Sequence, residues 1–217
     1  MHRYFVTGTD TDVGKTRVAA ALALALRRAG RPPTIVKVVQ TGATADAKGD
    51  AARAGALAGV PYAELARFAK PADPWSAALA QGATLRAREL VRRIDALEGP
   101  LVVEGSGGMI VPLGEREHLG DVARLAKLDV VLVVGLRLGC MNHALLTLEF
   151  CRAAGIPVAG TILVERWGPT HRSYHEDVTR ALQGKSPLLG ILPFAPEEAD
   201  SVAAGANDLL PFINGSR

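Results

Sequence analysis

The residues with the clearest chemical signature lie near the start of the chain, in the stretch GTDTDVGKT at residues 8–16. A phosphate-binding loop normally has four residues between its two glycines, but five separate Gly8 from Gly14 here. The stretch follows an apolar run and precedes a helix-forming segment, so a helix N-terminus would offer free N–H groups to phosphate oxygens. The motif predicts that Gly14 lets the backbone approach a phosphate, that Lys15 reaches the terminal phosphates and that the Thr16 hydroxyl binds Mg²⁺. The alternative, a glycine turn without a ligand, does not explain why strand, GKT and helix occur together.

Two carboxylates are candidate magnesium ligands. Glu104 ends the apolar run LVVEG, and open α/β sheets bind ligands at the carboxyl ends of their strands. Asp50 follows the loop TGATADAKG, although it could equally be a helix N-cap. Mg²⁺ uses few protein carboxylates and completes its shell with phosphates and water, so Thr16, Asp50 and Glu104 would suffice. The alternative for Glu104 is that it caps a turn.

Lys37 lies inside the apolar segment IVKVVQTG. A lysine in such a segment commonly belongs to an edge strand and extends its ammonium into solvent. Near the carboxyl end of an interior strand, it would instead point into the same crevice as Lys15. Two lysines there would stabilise a strongly anionic transition state.

Two other patterns carry less information. His171 and His175 are four residues apart on a predicted helix, but no third metal ligand accompanies them, so we interpret them as surface histidines. The glycines at 105, 107 and 108 lack the spacing of a dinucleotide-binding motif.

The order of apolar segments predicts an α/β fold. Short Val-, Ile- and Leu-rich runs without polar alternation are typical of strands buried on both faces of a parallel sheet. We expect one domain over residues 1–217, a single-domain P-loop NTPase-like fold with a mostly parallel β-sheet and helices on both faces. The predicted strands are 3–8, 33–39, 100–105, 129–135, 156–164 and 187–193, and the predicted helices are 16–30, 50–58, 86–97, 120–127, 142–154 and 172–182. Residues 70–76 are predicted to be a loop, and the chain after Pro193 a tail packed on the surface.

The composition is typical of a soluble globular protein, and the cysteine content favours the cytoplasm. Hydrophobic residues make up 48% and charged residues 22%, and the net charge of +3 comes from dispersed basic residues. With 5% aromatic residues, stacking platforms are scarce, so we expect no nucleic-acid partner. No apolar run is as long as a membrane span, so we expect no membrane association. Cys140 and Cys151 form no CxxC pair and no secretory leader precedes the first strand, which favours a reducing compartment.

Five segments together resemble the dethiobiotin synthetase family, over about residues 4–165 and weakly beyond. They are GTDTDVGKT, KVVQTG, GDAARAGALAG, VEGSGGMIVPL and LGCMNHALLTLE, in this order and spacing. The same extra residue in the opening loop occurs in that family. The resemblance implies an ATP- and Mg²⁺-dependent ligase that converts 7,8-diaminopelargonate and CO₂ to dethiobiotin through a carbamate and a carbamic-phosphoric anhydride, releasing ADP and phosphate.

The resemblance also implies a role for individual residues. The catalytic residues would be Lys15, Lys37 and Thr11. The nucleotide-binding residues would be Asp12, Val13, Gly14, Lys15, Thr16, Val164 and Pro193, and the metal ligands Thr16, Asp50 and Glu104. The substrate would contact Thr11, Thr41, Gly107, Gly108, Leu138, Gly139, Asn142 and Tyr174. The enzyme would be a homodimer in which the neighbouring subunit holds the substrate carboxylate, for which a helix N-terminus is a natural receptor.

The chain departs from the family pattern at several positions, including Asp12 for Glu and Trp75 for His. After the strand ending near Val164 the family commonly has Asn-Asp, which contacts the purine, whereas this chain reads VERWGP. Loss of that amide predicts weaker discrimination among nucleotides, so the choice among ATP, CTP and GTP stays open.

Two other functions share the lengthened loop. The amide ligases of corrin synthesis normally carry an additional glutaminase domain, for which 217 residues leave no room. Regulatory ATPases of the partitioning type usually have a lysine early in the loop, where this chain has Asp10.

Overall fold

The computed structural model of the chain describes residues 2–215. In chain order, its elements are β1 (Arg3–Gly8), α1 (Lys15–Arg28), β2 (Thr34–Lys37), β3 (Gln40–Thr41), α2 (Asp50–Ala58), β4 (Tyr62–Glu64), β5 (Arg67–Phe68), α3 (Pro74–Leu79), α4 (Ala87–Asp95), β6 (Leu101–Glu104), α5 (Leu119–Leu125), β7 (Asp129–Gly135), α6 (Cys140–Ala153), β8 (Val158–Val164), α7 (Arg172–Leu182), β9 (Leu188–Leu192) and α8 (Glu198–Gly215).

Within residues 2–215, seven strands form one parallel sheet in the order β4-β2-β6-β1-β7-β8-β9. The chain leaves β1 toward β2 and β4 on one side, and later passes through β6 to β7, β8 and β9 on the other. Ligands of open α/β sheets bind where the strand order reverses in this way. All seven strands run in the same direction, so their carboxyl ends meet at one edge.

Helices cover both faces of the sheet, as predicted. Helices α1, α2 and α8 pack on the face to which Val6 points. Phe5, the next side chain along β1, points to the opposite face, which α4 and α5 cover. Helix α1 is apolar around most of its circumference. It can therefore be buried between the sheet, α2 and α8. None of the helices in the described part of the chain is both long and apolar enough to cross a bilayer.

The prediction for the chain after Pro193 is wrong. That region forms α8, whose buried residues Val202, Ala206, Leu209 and Ile213 recur at helical spacing and pack on α1. The periodic apolar positions make this helix part of the core, because they complete the cover of α1.

The loop predicted at residues 70–76 is also partly wrong, because α3 begins at Pro74. The Asp73 carboxylate accepts a hydrogen bond from the Ser76 N–H at 2.9 Å and so caps this helix. Proline fits the first helical position because its missing N–H would have no partner there.

The short strand β4 was not predicted, and it changes the position of Lys37. Strand β2 lies between β4 and β6, so Lys37 is on an interior strand and is only 3% exposed. The structure therefore excludes the alternative that Lys37 is an edge-strand lysine.

We expect Leu209→Ala to destabilise the protein by about 2–5 kcal/mol, because it would leave a cavity between α8 and α1. The free energy of unfolding from denaturant titration measures this effect. Leu79→Ala is the control, because Leu79 is 60% exposed and its truncation should change stability by less than about 0.5 kcal/mol. Equal effects of the two substitutions would contradict a core role for α8.

Candidate active site

The loop at residues 8–16 connects the central strand β1 to α1 and is anchored at its start. The Gly8 N–H donates to the carbonyl of Gly107 at 3.1 Å, and the Thr9 N–H donates to the carbonyl of Val133 in β7 at 2.9 Å. These bonds join the loop to β7 itself and to the segment that follows β6. The sharp turn into α1 therefore has a fixed starting point.

Gly14 is the N-cap of α1, with φ at 101°. This left-handed conformation disfavours side chains, and a Cβ here would come within 2.9 Å of the Val164 side chain. Val13 is 1% exposed and packs beneath the loop near Gly8 and Gly135. Val13 and Val164 thus support the loop from the apolar side, which leaves its outer surface free for a ligand.

Two arginines from neighbouring strand ends hold the acidic residues of the lengthened loop. Asp12 has φ at 57°, and its carboxylate accepts from the Arg166 guanidinium at 2.9 Å. Asp10 forms an ion pair with Arg137. The main-chain carbonyl of Asp10 accepts from the Lys15 ammonium at 2.8 Å. Sequence reasoning did not identify either arginine, since each lies more than a hundred residues beyond the loop.

The Lys15 ammonium is buried, and that burial lowers its pKa to about 8. The nearby positive charge of Lys37 contributes to this net lowering of the pKa, while Glu104, Asp50 and Asp10 act in the opposite direction. A lysine in this state lacks counter-charge, which terminal phosphates would supply.

Lys37 lies at the centre of a second cluster. Its ammonium is 2.7 Å from a carboxylate oxygen of Glu104 and 2.7 Å from one of Asp50. Strands β2 and β6 pair in a register that sets Lys37 beside Glu104. The Thr16 hydroxyl, at the start of α1, donates to the same Glu104 oxygen at 3.0 Å. The three predicted metal ligands and one predicted catalytic lysine are therefore in direct contact.

Electrostatics keep Lys37 charged. Burial alone would lower the pKa of Lys37, but the carboxylates of Glu104 and Asp50 outweigh it and raise that pKa above its usual value. The ammonium therefore stays positively charged where β2 ends, at the edge formed by the carboxyl ends of the strands.

The oxygens of this cluster fit a magnesium ion. Glu104 Oε2 is buried and has no hydrogen-bond partner, which is costly for a carboxylate oxygen unless something binds it. With the Thr16 hydroxyl and the Asp50 carboxylate it makes an all-oxygen donor set. In residues 2–215 no group of three or more His, Cys, Asp or Glu side chains could hold a metal ion. A site with two carboxylates agrees with the preference of Mg²⁺ for waters and phosphates as its remaining ligands.

Gln40 positions Asp50, a role that sequence reasoning missed. Its side-chain oxygen accepts from the Asp50 N–H at 2.7 Å, and its amide nitrogen donates to the carbonyl of Thr41 at 3.0 Å. Asp50 is the first residue of α2, with Gly49 as the N-cap. The segment KVVQTG contains a sequence signal for this role. Its glutamine, Gln40, follows a buried apolar run and so lies near the carboxyl ends of the strands, where ligands bind.

The loop and the Lys37 cluster face one cavity of about 820 Å³. Predicted site residues that line it are Thr11, Asp12, Gly14, Lys15, Thr16, Lys37, Thr41, Asp50, Glu104 and Gly107. Val13, Gly108, Val164 and Pro193 lie outside the lining. Beyond the loop, the cavity continues along residues that were not predicted, namely Arg17, Arg53, Arg166, Phe194, Ala195, Pro196 and Glu198.

Four predicted substrate-binding residues form a separate group at the start of α6. Leu138 is 95% exposed, Gly139 is the N-cap of α6, and Asn142 is exposed in its first turn. The Tyr174 hydroxyl donates to the carbonyl of Arg137 at 2.7 Å. None of the four lines the cavity.

The side chains of His171 and His175 lie in different environments. His171 is exposed and caps α7, as expected of a surface residue. The interpretation of His175 as a surface residue is wrong, because its side chain is only 16% exposed and lies 3.1 Å from the Glu165 carboxylate.

Comparison with known proteins gives consistent matches along the chain. A family model described as an AAA domain matches residues 2–200. The chain is 41% identical to the ATP-dependent dethiobiotin synthetase of Pseudomonas aeruginosa strain UCBPP-PA14, with 98% of each chain covered. It is 42% identical to that of Mycobacterium avium, with 94% of each covered, and 35% identical to one from Escherichia coli K12, with 94% and 95% covered.

Solved structures with a similar backbone are more distant in sequence. A ParA family ATPase from Chlorobium tepidum is 14% identical, with a TM-score of 0.58 and coverage of 98% of this chain and 96% of that one. The cell division ATPase MinD of Pyrococcus furiosus is 20% identical, with a TM-score of 0.57 and coverage of 99% and 98%. At such identities the likeness confirms the predicted P-loop NTPase-like fold and carries no information on a partitioning function.

We expect nucleotide binding to take up protons when measured near pH 8. The pKa of Lys15 is about 8 without a ligand, so about half of these amines are neutral there, and phosphate anions would raise that pKa. Calorimetry of Mg²⁺-nucleotide binding in buffers of different ionisation enthalpy measures the uptake. Near pH 7 it should be smaller, because most Lys15 amines already carry the proton.

Lys15→Ala should abolish this difference between buffers, whereas Lys185→Ala, a change at an exposed lysine, should retain it. Identical binding heats of the wild-type protein in all buffers at pH 8 would contradict the expectation.

Proposed function

As a member of the ATP-dependent dethiobiotin synthetase family, the chain catalyses an ATP-dependent ring closure in biotin biosynthesis, and we propose that it does so in the cavity beside Lys15 and Lys37. The observation that carries this placement is the contact of the Lys37 ammonium with Glu104 and Asp50, next to the Thr16 hydroxyl at the start of α1. A buried cation, two carboxylates and a helix N-terminus are what transfer of a phosphoryl group needs.

The proposed reaction has three steps. One amine of 7,8-diaminopelargonate combines with CO₂ to form a carbamate. A carbamate oxygen then attacks the terminal phosphorus of ATP, so that a carbamic-phosphoric anhydride forms and ADP leaves. The second amine attacks the carbonyl carbon of the anhydride, which closes the ureido ring and expels phosphate.

The two lysines would act mainly through charge and position. Phosphoryl transfer requires alignment and neutralisation of charge more than a strong base. Lys15 would turn from the carbonyl of Asp10 to the terminal phosphates, because a phosphate is a stronger acceptor than a main-chain carbonyl. Lys37 would hold its proton throughout, since its pKa is raised, and would attract the carbamate and the transferred phosphoryl group.

Thr16, Asp50 and Glu104 would hold Mg²⁺, which supplies positive charge to the phosphates when bound. Gln40 keeps Asp50 in place for this purpose through the Asp50 N–H. The unpartnered Glu104 Oε2 is the oxygen that most needs such a ligand.

The remaining predicted residues divide between the nucleotide and the diamine. Thr11 lies at the exposed tip of the lengthened loop, with Gly107 on the facing wall of the cavity, and Thr41 follows β2 on the same side as Lys37. We assign Thr11, Thr41 and the neighbouring glycines 107 and 108 to the carbamate and the diamine. Asp12, Val13, Val164 and Pro193 belong to the nucleotide side, in part by supporting the loop from below.

A homodimer accounts for the group at the start of α6. Leu138 and Leu146 are 95% and 62% exposed on this part of the molecule, and Asn142 lies between them. Exposed apolar side chains close together are typical of an interface. The helix N-terminus with Gly139, Asn142 and Tyr174 would receive the substrate carboxylate bound to the neighbouring subunit.

We also place the protein in the cytoplasm. Its substrate ATP is found there, and Cys140 and Cys151 are buried as free thiols, a state that a reducing compartment maintains.

We expect the purified protein to form dethiobiotin from diaminopelargonate, bicarbonate, Mg²⁺ and ATP, with one ADP released per product. Mass spectrometry of the product and a coupled assay of ADP measure both quantities. Lys15→Ala should lower the turnover by about a hundredfold or more, because it removes a charge from the transition state, while the melting temperature stays close to that of the wild type. Lys185→Ala, at an exposed position outside the cavity, is the matched control.

ATP hydrolysis that proceeds at the same rate without the diamine and yields no dethiobiotin would contradict the proposed function.

We expect Leu146→Asp to convert a wild-type dimer into a monomer, because a charge would replace apolar contact area. Sedimentation analysis measures the mass. The monomer should show at least about a tenfold higher KM for the diamine, since a charge-assisted contact to the substrate carboxylate would be lost, with the affinity for nucleotide unchanged. Leu79→Asp, at another exposed leucine, should remain dimeric. A wild-type protein that is monomeric at assay concentrations would refute the proposal.

A further inference from the structure

Glu165 is a buried carboxylate for which the proposed reaction has no use. It follows β8 and is only 8% exposed. A buried charge is costly unless hydrogen bonds satisfy it, so its partners indicate its role.

Both oxygens of Glu165 accept hydrogen bonds from main-chain N–H groups of separate segments. Oε1 accepts from Thr170 at 2.7 Å, in the 165–171 segment that leads to α7. Oε2 accepts from Phe194 at 3.0 Å, in the 193–197 segment that leads to α8. His175 of α7 places Nε2 at 3.1 Å from Oε1. One side chain thus ties together two segments that are not helical or extended.

These two segments form one wall of the cavity. Arg166 from the first and Phe194, Ala195 and Pro196 from the second all line it. Arg166 also pairs with Asp12 of the phosphate-binding loop. Phosphates bound by the loop would leave the nucleoside to extend along the cavity toward this wall.

We propose that Glu165 is a positioning residue that fixes this wall for the nucleoside and takes no part in reading the base. The proposal deepens the proposed function and rests on nucleotide binding in the cavity. The two carboxylate oxygens of Glu165 are already engaged by the N–H groups of Thr170 and Phe194. The wall therefore binds nucleosides by shape, and Glu165 contributes equally to ATP, CTP and GTP.

Glu165→Gln is the informative substitution. A carboxylate can accept from both N–H groups, whereas the glutamine amide has one oxygen and turns N–H donors toward the other partner. One of the two segments then loses its bond. Glu165→Ala removes both bonds and serves as the stronger variant if it folds. Glu176→Gln, the same chemical change at an exposed glutamate of α7 paired with Arg172, is the matched control.

The experiment measures dissociation constants for Mg²⁺ complexes of non-hydrolysable ATP, CTP and GTP analogues by calorimetry, without the diamine. Amide hydrogen exchange at Thr170 and Phe194 is followed in the same variants. We expect Glu165→Gln to weaken all three nucleotides by the same factor, about tenfold, and to accelerate exchange at one or both amides. Glu176→Gln should change neither quantity.

Three results would overturn the proposal. Loss of affinity for one base only would mean that Glu165 contacts the base. Faster exchange with unchanged affinities would mean that the wall does not bind the nucleoside. Unchanged exchange would mean that Glu165 does not hold the segments. The experiment omits the diamine and measures only nucleotide binding and amide exchange. A failure of the proposed ring closure would therefore not change the conclusion about Glu165.

Discussion

The contact between the Lys37 ammonium and the carboxylates of Glu104 and Asp50 is the interaction on which the rest of the site depends. Lys37 and Glu104 can be buried together only because they are paired, since each would otherwise lose its hydration without compensation, and the partly exposed Asp50 adds a second counter-charge to Lys37. The pairing requires β2 beside β6 in the register that sets Lys37 next to Glu104, and it requires α2 to begin where Gln40 can hold Asp50. The strand order, the start of α2 and the position of Thr16 on α1 all serve to complete this cluster. The Lys37 ammonium would attract a phosphate, and the unpartnered Glu104 oxygen would bind a metal ion, so the cluster could receive both together.

The lengthened phosphate-binding loop is tied to the same sheet edge by electrostatics. Asp10 and Asp12, which flank Thr11, pair with Arg137 after β7 and Arg166 after β8. The extra residue is therefore held in a defined conformation in which Thr11 is exposed to the cavity. The pair between Asp12 and Arg166 also connects the loop to the wall that Glu165 is proposed to fix. The loop, the proposed metal ligands and the proposed nucleoside wall thus line one continuous cavity at the carboxyl ends of the strands.

Much of the fold followed from the sequence because its strands are short apolar runs and its longer helices have periodic apolar positions. The predictions for β7, α2 and α7 agree with the structure at both ends. The failures have local causes. Helix α8 contains Pro211, a residue that usually ends a helix, and β4 has only three residues, too few for a periodic signal. Without β4, nothing in the local sequence separates an interior Lys37 from an edge lysine.

The candidate groups of the site can be found from the sequence alone: GKT at the start of a helix, Glu104 at a strand end, Asp50 at a helix start, a second lysine, and the family to which the chain belongs. Which of these groups meet depends on the tertiary structure. Lys37 and Glu104 are 67 residues apart, Asp12 and Arg166 are 154 apart, and Glu165 joins segments on either side of α7 and β9. Local patterns specify the type of each element, but distances between remote side chains depend on strand order and register. For that reason the sequence shows Glu165 only as part of a segment that departs from the family pattern. The fold shows that its carboxylate accepts hydrogen bonds from two main-chain N–H groups.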